Sequence, residues 1–253
     1  MIQEPFAAGD SCIHHFDPRI RVVFAVFFSV VIAISKAFPA LSAALAAALL
    51  LVGLAQLRIL VVVRRLLWVN LFILFLWVVL PFSYEGRSLF SIGPLIATWP
   101  GVVVAAQITL KSNAIILIII ALVATMTTVT LGHALNALWL PDKLVHLLLM
   151  TYRYLFVLEQ ELQRLVRAAK IRGFKPDTSI HTYRTYAYLV GMLFVKASER
   201  ARRVHQAMQC RGFNGRFYCL RDFRVTGSDR ALTIFLTAIL IAVIALNFGS
   251  QGT

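Results

Sequence analysis

Two eleven-residue stretches carry the residue types best suited to gripping another protein. Arg164-Leu-Val-Arg-Ala168-Ala-Lys-Ile-Arg172-Gly173-Phe174 aligns with Arg203-Val-His-Gln-Ala207-Met-Gln-Cys-Arg211-Gly212-Phe213 at a constant offset of 39 residues. In each, Ala precedes Arg by one helical turn, so the pair lies on one face. The small Ala lets a second backbone come close. The Arg beyond it presents a planar fork to carboxylates or carbonyls at that contact. Gly suits the left-handed cap of a helix, and the following Phe an apolar plug. A single copy would read as an ordinary helix end, where Arg gains about a few tenths of a kcal/mol from the dipole. Two matched copies read as two equivalent docking sites, for a dimeric partner or a pair of related subunits. Ala168, Arg172, Gly173, Ala207, Arg211 and Gly212 are therefore the candidate site residues.

Other chemistry is poorly represented. No Gly-x-x-x-x-Gly-Lys-Ser/Thr loop occurs, so the chain is not expected to hydrolyse ATP itself. The histidines are His14, His15, His133, His146, His181 and His205. None falls in a set with metal-ligand spacing, and adjacent His14 and His15 read as interfacial or capping residues rather than a metal site. Cys12, Cys210 and Cys219 fit neither a disulfide framework nor a zinc site and read as reduced thiols. Lys111 lies inside an apolar run; it marks either a functional site or a side chain reaching the interface. Asp17, before Pro18, reads as a helix cap or an ion-pair partner of the basic segment. No catalytic, cofactor-binding or metal-binding residue is expected in this chain.

The elements that must hold the two motifs follow from composition. The chain is 60% hydrophobic and only 14% charged, against about 25% charged in soluble domains, so lipid is the simpler solvent for its apolar surface. Apolar runs at Val22–Ser35, Ala37–Leu57, Leu66–Tyr84, Pro100 to about Thr128, and Ala231 to about Phe248 predict five spans. Arg21 and Lys36 are expected to lengthen the first by snorkelling. Glu85–Pro100, with Gly86, Gly93, Pro94 and Pro100, reads as a loop or re-entrant piece. The net charge is +14, and 17 of the 25 Lys and Arg lie between Lys143 and Arg230. The positive-inside rule then places that segment and the N-terminus in the cytoplasm and the C-terminus outside. Such basicity in a soluble protein would suggest nucleic acid, but no accompanying motif supports that.

The expected fold is all-α: a polytopic membrane protein with about five transmembrane helices and long cytoplasmic helices. Residues 1–130 form the N-terminal membrane region, 131–230 the cytoplasmic helices, and 231–253 the last span. Within the middle segment, Leu144, Leu147, Leu148, Tyr152, Leu155, Leu158 and Leu162 recur at steps of three and four, one face of a helix of about thirty residues, or about 45 Å. That helix ends at Gly173, with Pro176 beyond. A second is expected from about Thr182 to Arg211.

Ala-x-x-x-Arg-Gly at two helix ends resembles the paired signature of the transmembrane coupling subunit of energy-coupling factor transporters, the EcfT family. Ser11-Cys-Ile-His14-His-Phe-Asp17-Pro18-Arg19-Ile-Arg21 is similar to that family's His-x-x-Asp-Pro-Arg-x-Lys pattern, with Arg21 in place of Lys. Thr127-Thr128 and Leu140-Pro141 fall where the family has them, and Thr151-Tyr-Arg153-Tyr-Leu-Phe-Val-Leu resembles its cobalt branch, CbiQ. The resemblance implies a non-catalytic subunit of an ATP-driven importer in the bacterial inner membrane. Two cytoplasmic ABC ATPases, carrying ATP and Mg, would bind the two helix ends. A separate CbiM-like membrane subunit would capture cobalt, or nickel, with a small accessory membrane subunit as a further partner. The alternatives are the permease of a conventional ABC importer, which would hold the translocation path itself, and a membrane-embedded enzyme, which would need Asp, Glu or His converging within the spans.

Overall fold

A computed structural model describes residues 11, 13, 16–57, 59–83, 88–92, 95–138, 140–213 and 227–249. The elements in chain order are α1 (Pro18–Ile34), α2 (Phe38–Leu54), α3 (Ile59–Ser83), β1 (Ser88–Ile92), β2 (Leu95–Thr98), α4 (Trp99–Leu122), α5 (Thr128–Ala137), α6 (Asp142–Ile171), α7 (Ile180–Cys210) and α8 (Gly227–Gly249). The protein is an all-α polytopic membrane protein apart from one short hairpin. The described residues form two compact units, one within 11–134 together with 227–249 and the other within 135–213.

The first unit gathers the apolar helices. α3, α4 and Asp229–Gly249 are long and apolar enough to cross a bilayer. α1 and α2 have 17 residues each, about 25 Å, a little short of the hydrocarbon thickness. Both pack on α4. On α2 the residues at four-residue spacing, Ala40, Ala44 and Ala48, are all buried, and α4 buries Ala114 and Ala121. Small side chains let the backbones approach, which is how helices gain packing energy where lipid competes equally well for larger apolar groups. Phe28, Ile32, Leu41, Leu51, Ile118, Leu122, Leu236 and Val243 fill the remaining core.

Sparse polar contacts fix helix directions. The Asp17 N–H donates to Asp229 Oδ1 at 3.2 Å, and the Ser35 hydroxyl donates to Asn247 Oδ1 at 2.9 Å. These ties join α1 and α8 at corresponding ends, so the two run parallel. Asp17 is also the N-cap of α1, accepting from the Arg19 N–H at 2.9 Å, which realises the capping alternative read from Asp17-Pro18. α3 and α4 run antiparallel. Asn70 and Asn113 exchange amide bonds at 3.2 and 3.1 Å, and Trp77 Nε1 donates to Thr109 Oγ1 at 2.9 Å. Near the other end, a Cβ on Gly101 would lie 2.6 Å from the Leu80 carbonyl oxygen and 2.7 Å from Pro81 Cα. Backbone meets backbone there, so only glycine fits.

Three expectations need correcting. The segment read as a loop forms the antiparallel hairpin of β1 and β2; its turn residues 93–94 lie outside the described residues. The fourth apolar helix, expected to reach about Thr128, ends earlier: α4 stops at Leu122, and a separate helix, α5, starts at Thr128 behind a Thr127 hydroxyl that accepts the Thr130 N–H at 3.2 Å. Arg21 does not snorkel. It is 1% exposed; its Nε donates to the Leu122 carbonyl at 3.0 Å, and its terminal amine donates to the Thr125 hydroxyl. That hydroxyl in turn donates to the Ala121 carbonyl at 2.8 Å. The guanidinium thus occupies the carbonyl end of α4, where orphan acceptors and the negative dipole end both favour a cation.

Replacing Arg21 tests this junction. Arg21→Met should lower stability by roughly 1–3 kcal/mol, because buried acceptors lose their donor. Arg21→Lys should cost less, since it keeps a charge but offers no fork. Thermal unfolding of the detergent-solubilised chain reads both; unchanged midpoints would show that the contact contributes nothing.

Candidate docking site on the helical hairpin

The second unit is built on α6 and α7. α6 starts after Pro141 and runs 30 residues to Ile171. α7 starts behind Ser179, whose hydroxyl accepts the Thr182 N–H at 3.3 Å, and runs to Cys210. These bounds agree closely with those read from periodicity and from the Gly stop signals. The helices pack antiparallel. Phe174 meets Tyr186 edge to face at 5.6 Å, Lys196 meets Glu161 at 2.5 Å, and Phe213 stacks on His146 at 5.4 Å. As the position on one helix rises, its partner on the other falls.

The two motifs fold alike. Gly173 has φ +86° and Gly212 φ +75°, the left-handed region that favours glycine. The Phe174 N–H donates to the Ala169 carbonyl and the Phe213 N–H to the Met208 carbonyl, both at 3.1 Å. The Gly N–H groups donate to Lys170 and Gln209 at 3.0 and 2.9 Å. Every acceptor lies 39 residues from its counterpart, the pattern of a Schellman cap made twice. Phe174 and Phe213 then turn inward onto Tyr186 and His146 as apolar plugs.

Ala168, Arg172, Gly173, Ala207, Arg211 and Gly212 are all exposed. The structure brings together Ala, Arg and Gly within each motif, one motif ending α6 and the other ending α7. Each motif borders a cleft. Ala168, Arg172 and Gly173 line one of about 590 Å3 with Tyr188 and Met192 of α7. Met208 and Phe213, from the second motif, line another of about 400 Å3 with Met150 and Tyr154 of α6. Among the described residues, neither the Arg172 nor the Arg211 guanidinium makes a hydrogen bond or ion pair within the chain. Two cations are thus presented on rigid helix ends, suited to accepting carboxylates or carbonyls from another protein.

The apolar stripe of α6 is largely uncovered. Leu144 is 55% and Leu147 60% exposed; on α7, Phe194 is 75% exposed. These residues do not build the unit's own core.

The remaining sequence candidates resolve as structural groups or fall outside view. Lys111 Nζ donates to the Ala33 carbonyl at 2.9 Å, and Gln107 donates to the Lys36 carbonyl at 2.8 Å. Together they satisfy acceptors at and beyond the C-terminal end of α1, and the ammonium meets the negative end of that helix dipole. His14, His15, Cys12 and Cys219 lie outside the described residues. Among the described residues no three His, Cys, Asp or Glu side chains converge as a metal site would require. Sequence reasoning missed the Arg21 junction, the Asn70–Asn113 pair and the close approach at Gly101. A lone Arg or Asn inside an apolar helix was the available signal.

Apolar spans carrying few internal charges, with a hairpin that leaves its own cationic ends and apolar stripe uncovered, define a multi-span membrane component made to work with other subunits. The chain belongs to the CbiQ family, described as cobalt transport proteins, whose pattern matches residues 9–219. It is similar to the energy-coupling factor transporter transmembrane protein EcfT of Leuconostoc gelidum, at 27% identity over 82% of each chain. It is likewise similar to the proteins of the same name from Thermosediminibacter oceani, at 25% identity over 94% of each chain, and Bacillus subtilis, at 22% over 96%. The chain is a transmembrane component of an energy-coupling factor transporter, as the relatives just named are.

The hairpin's central ion pair makes it acid-sensitive. The hydrogen bond from Lys196 holds the Glu161 carboxyl below its ordinary value; burial opposes this, and the charges of Lys196, Arg164 and Arg200 reinforce it. A carboxyl lowered in the folded state stabilises it above the unfolded value, and the contribution is lost as pH falls through the folded one. Hydrogen-exchange protection in the middle of α6 and α7 should therefore decline on acidification below about pH 4. Glu161→Gln should lower protection at neutral pH and abolish that decline.

Proposed function

We propose that this chain couples ATP hydrolysis in two cytoplasmic ABC ATPases to movement of a separate membrane subunit that captures the substrate. Arg172 would seat on one ATPase and Arg211 on the other. The carrying observation is the pair of helix ends whose Gly and Phe N–H groups make matching cap bonds and which expose unpaired guanidiniums. ATP and Mg belong to the ATPases. The membrane partner, CbiM-like, takes the cargo, for which the family match favours cobalt, with nickel the nearest chemical alternative. The uncovered apolar stripe of α6 offers that partner, or the membrane surface, a face to rest on. When nucleotide draws the ATPases together, the gripped helix ends move with them. Long helices, stiff along their axes, carry the displacement onward. A ligand shifts such an equilibrium only through contacts that differ between the two states, so the arginine grip must persist throughout the stroke.

Arg172→Ala and Arg211→Ala should each weaken assembly with the ATPases, by roughly 2–5 kcal/mol if the contact is fully desolvated. The double variant should be worse than either single one. Co-purification and ATP-driven uptake in liposomes measure this. A double variant that assembles, hydrolyses and transports normally at native expression would sink the proposal. Uptake by this chain alone, or undiminished uptake without it, would be equally damaging.

The same reading sets the chain in the bacterial inner membrane with the α6–α7 hairpin in the cytoplasm and the end of α8 outside. Single cysteines at positions 175 and 249, in a background lacking Cys12, Cys210 and Cys219, report this. An impermeant reagent should label 249 in sealed cells and reach 175 only after permeabilisation. Labelling of 175 from outside would reverse the topology.

A further inference from the structure

The seam between α6 and α7 holds two clefts that share no residue. The cleft of about 590 Å3 draws on α6 only from Leu165 onward, and on α7 only as far as Lys196. The cleft of about 400 Å3 draws on α6 only as far as Leu158, and on α7 only from Ala197. Between them stands the Glu161–Lys196 pair, at 2.5 Å. Two helices tied at one level, with space on either side, rock by narrowing one cleft as the other widens. The lining suits such movement. Met192 borders the first cleft, and Met150 and Met208 the second; unbranched thioether side chains repack at little cost. Glu161 also has a second cation within range. Arg200 lies one turn beyond Lys196 on the same face of α7, about 6 Å further along the axis. Its charge already acts on the Glu161 carboxyl. Arg200 lines the second cleft, whereas Lys196 lines the first. Arg164, 3.6 Å from Glu161, is on the same helix as the carboxylate and so favours neither cleft. The Lys196 side chain is 44% exposed. Ion pairs open to water contribute little stability, so one cation replaces the other at small cost.

We propose that Glu161 is the pivot of the hairpin, pairing with Lys196 in one arrangement and with Arg200 in another. In the second arrangement the contact moves into the second cleft, which narrows while the first widens. Lys196 and Arg200 are then positioning residues for coupling: each stabilises one setting of α6 against α7, and neither touches a partner. This rests on the coupling role proposed above. It supplies what that role requires, two discrete settings of the helices whose balance a nucleotide-driven partner can shift.

The test is pulsed electron spin resonance on the full chain assembled with its ATPases. Spin labels go at positions 151 and 205, which line the second cleft from α6 and α7, in a background lacking Cys12, Cys210 and Cys219. The wild type should show two distances whose proportions change with nucleotide. Arg200→Gln should hold the longer distance and Lys196→Gln the shorter, and Arg200→Lys should restore both. ATP-driven uptake in liposomes should fall by up to about fivefold in either Gln variant, the factor that one partly exposed ion pair supplies. It should recover in Arg200→Lys, with co-purification of the ATPases as in the wild type throughout. Unchanged proportions in both Gln variants would overturn the pivot, as would a single wild-type distance whatever the nucleotide. Either result leaves the docking reading standing as long as the ATPases still co-purify. Loss of the ATPases from the Gln variants would also overturn the pivot, because the pair would then belong to the grip itself.

Discussion

A charge enclosed in the apolar unit has to be answered within a few ångströms, and the membrane unit is organised around one such answer. Arg21 is enclosed, and it survives there because the Leu122 carbonyl and the Thr125 hydroxyl accept hydrogen bonds from its N–H groups. A buried guanidinium without partners would be prohibitively costly. The Leu122 carbonyl would otherwise be an orphan at the end of α4. Each group relieves the other's cost, and the helix stops where the relief occurs. The turn between α4 and α5 is therefore placed by a residue about a hundred positions earlier in the chain.

The other polar contacts of this unit follow the same economy. Asp17 and Asn247 tie α1 to α8 near opposite ends, while Lys111 and Gln107 satisfy carbonyls near the end of α1. Asn70 and Asn113 answer each other across α3 and α4. Between these points the helices touch through alanine and glycine, where dispersion and close backbone approach do the holding. A membrane unit of this kind has few polar groups, and almost all of them set direction or register.

The hairpin obeys a different rule. α6 and α7 are soluble-type helices with charges on several faces. They meet through aromatic pairs near both ends and an ion pair between Glu161 and Lys196. Their apolar stripe is left open, and so are their arginine ends. In an isolated soluble protein such exposure would be a liability. In a transporter component it is the surface we propose to hold its neighbours. The two caps repeat each other in sequence and in backbone geometry, each a rigid end presenting Arg beside Ala.

Much of this was legible in the chain itself. Helix ends are local events: Gly173 and Gly212 stop α6 and α7 because no other residue takes that backbone turn so cheaply, and Asp17-Pro18 starts α1. Spans and basic segments are equally local, since hydropathy and charge need no partner to be read. The matched motifs were visible from spacing alone. What sequence could not decide is where a polar side chain goes when several directions are open. Arg21 and Lys111 could each have reached for the interface; the carbonyls at the end of α4 drew Arg21 into the core, and the Ala33 carbonyl at the end of α1 took the Lys111 ammonium. The break after Leu122, the parallel run of α1 and α8, and the glycine contact at Gly101 likewise depend on residues distant in sequence. Local propensity fixed the elements, and the need to satisfy each buried polar group fixed how they meet.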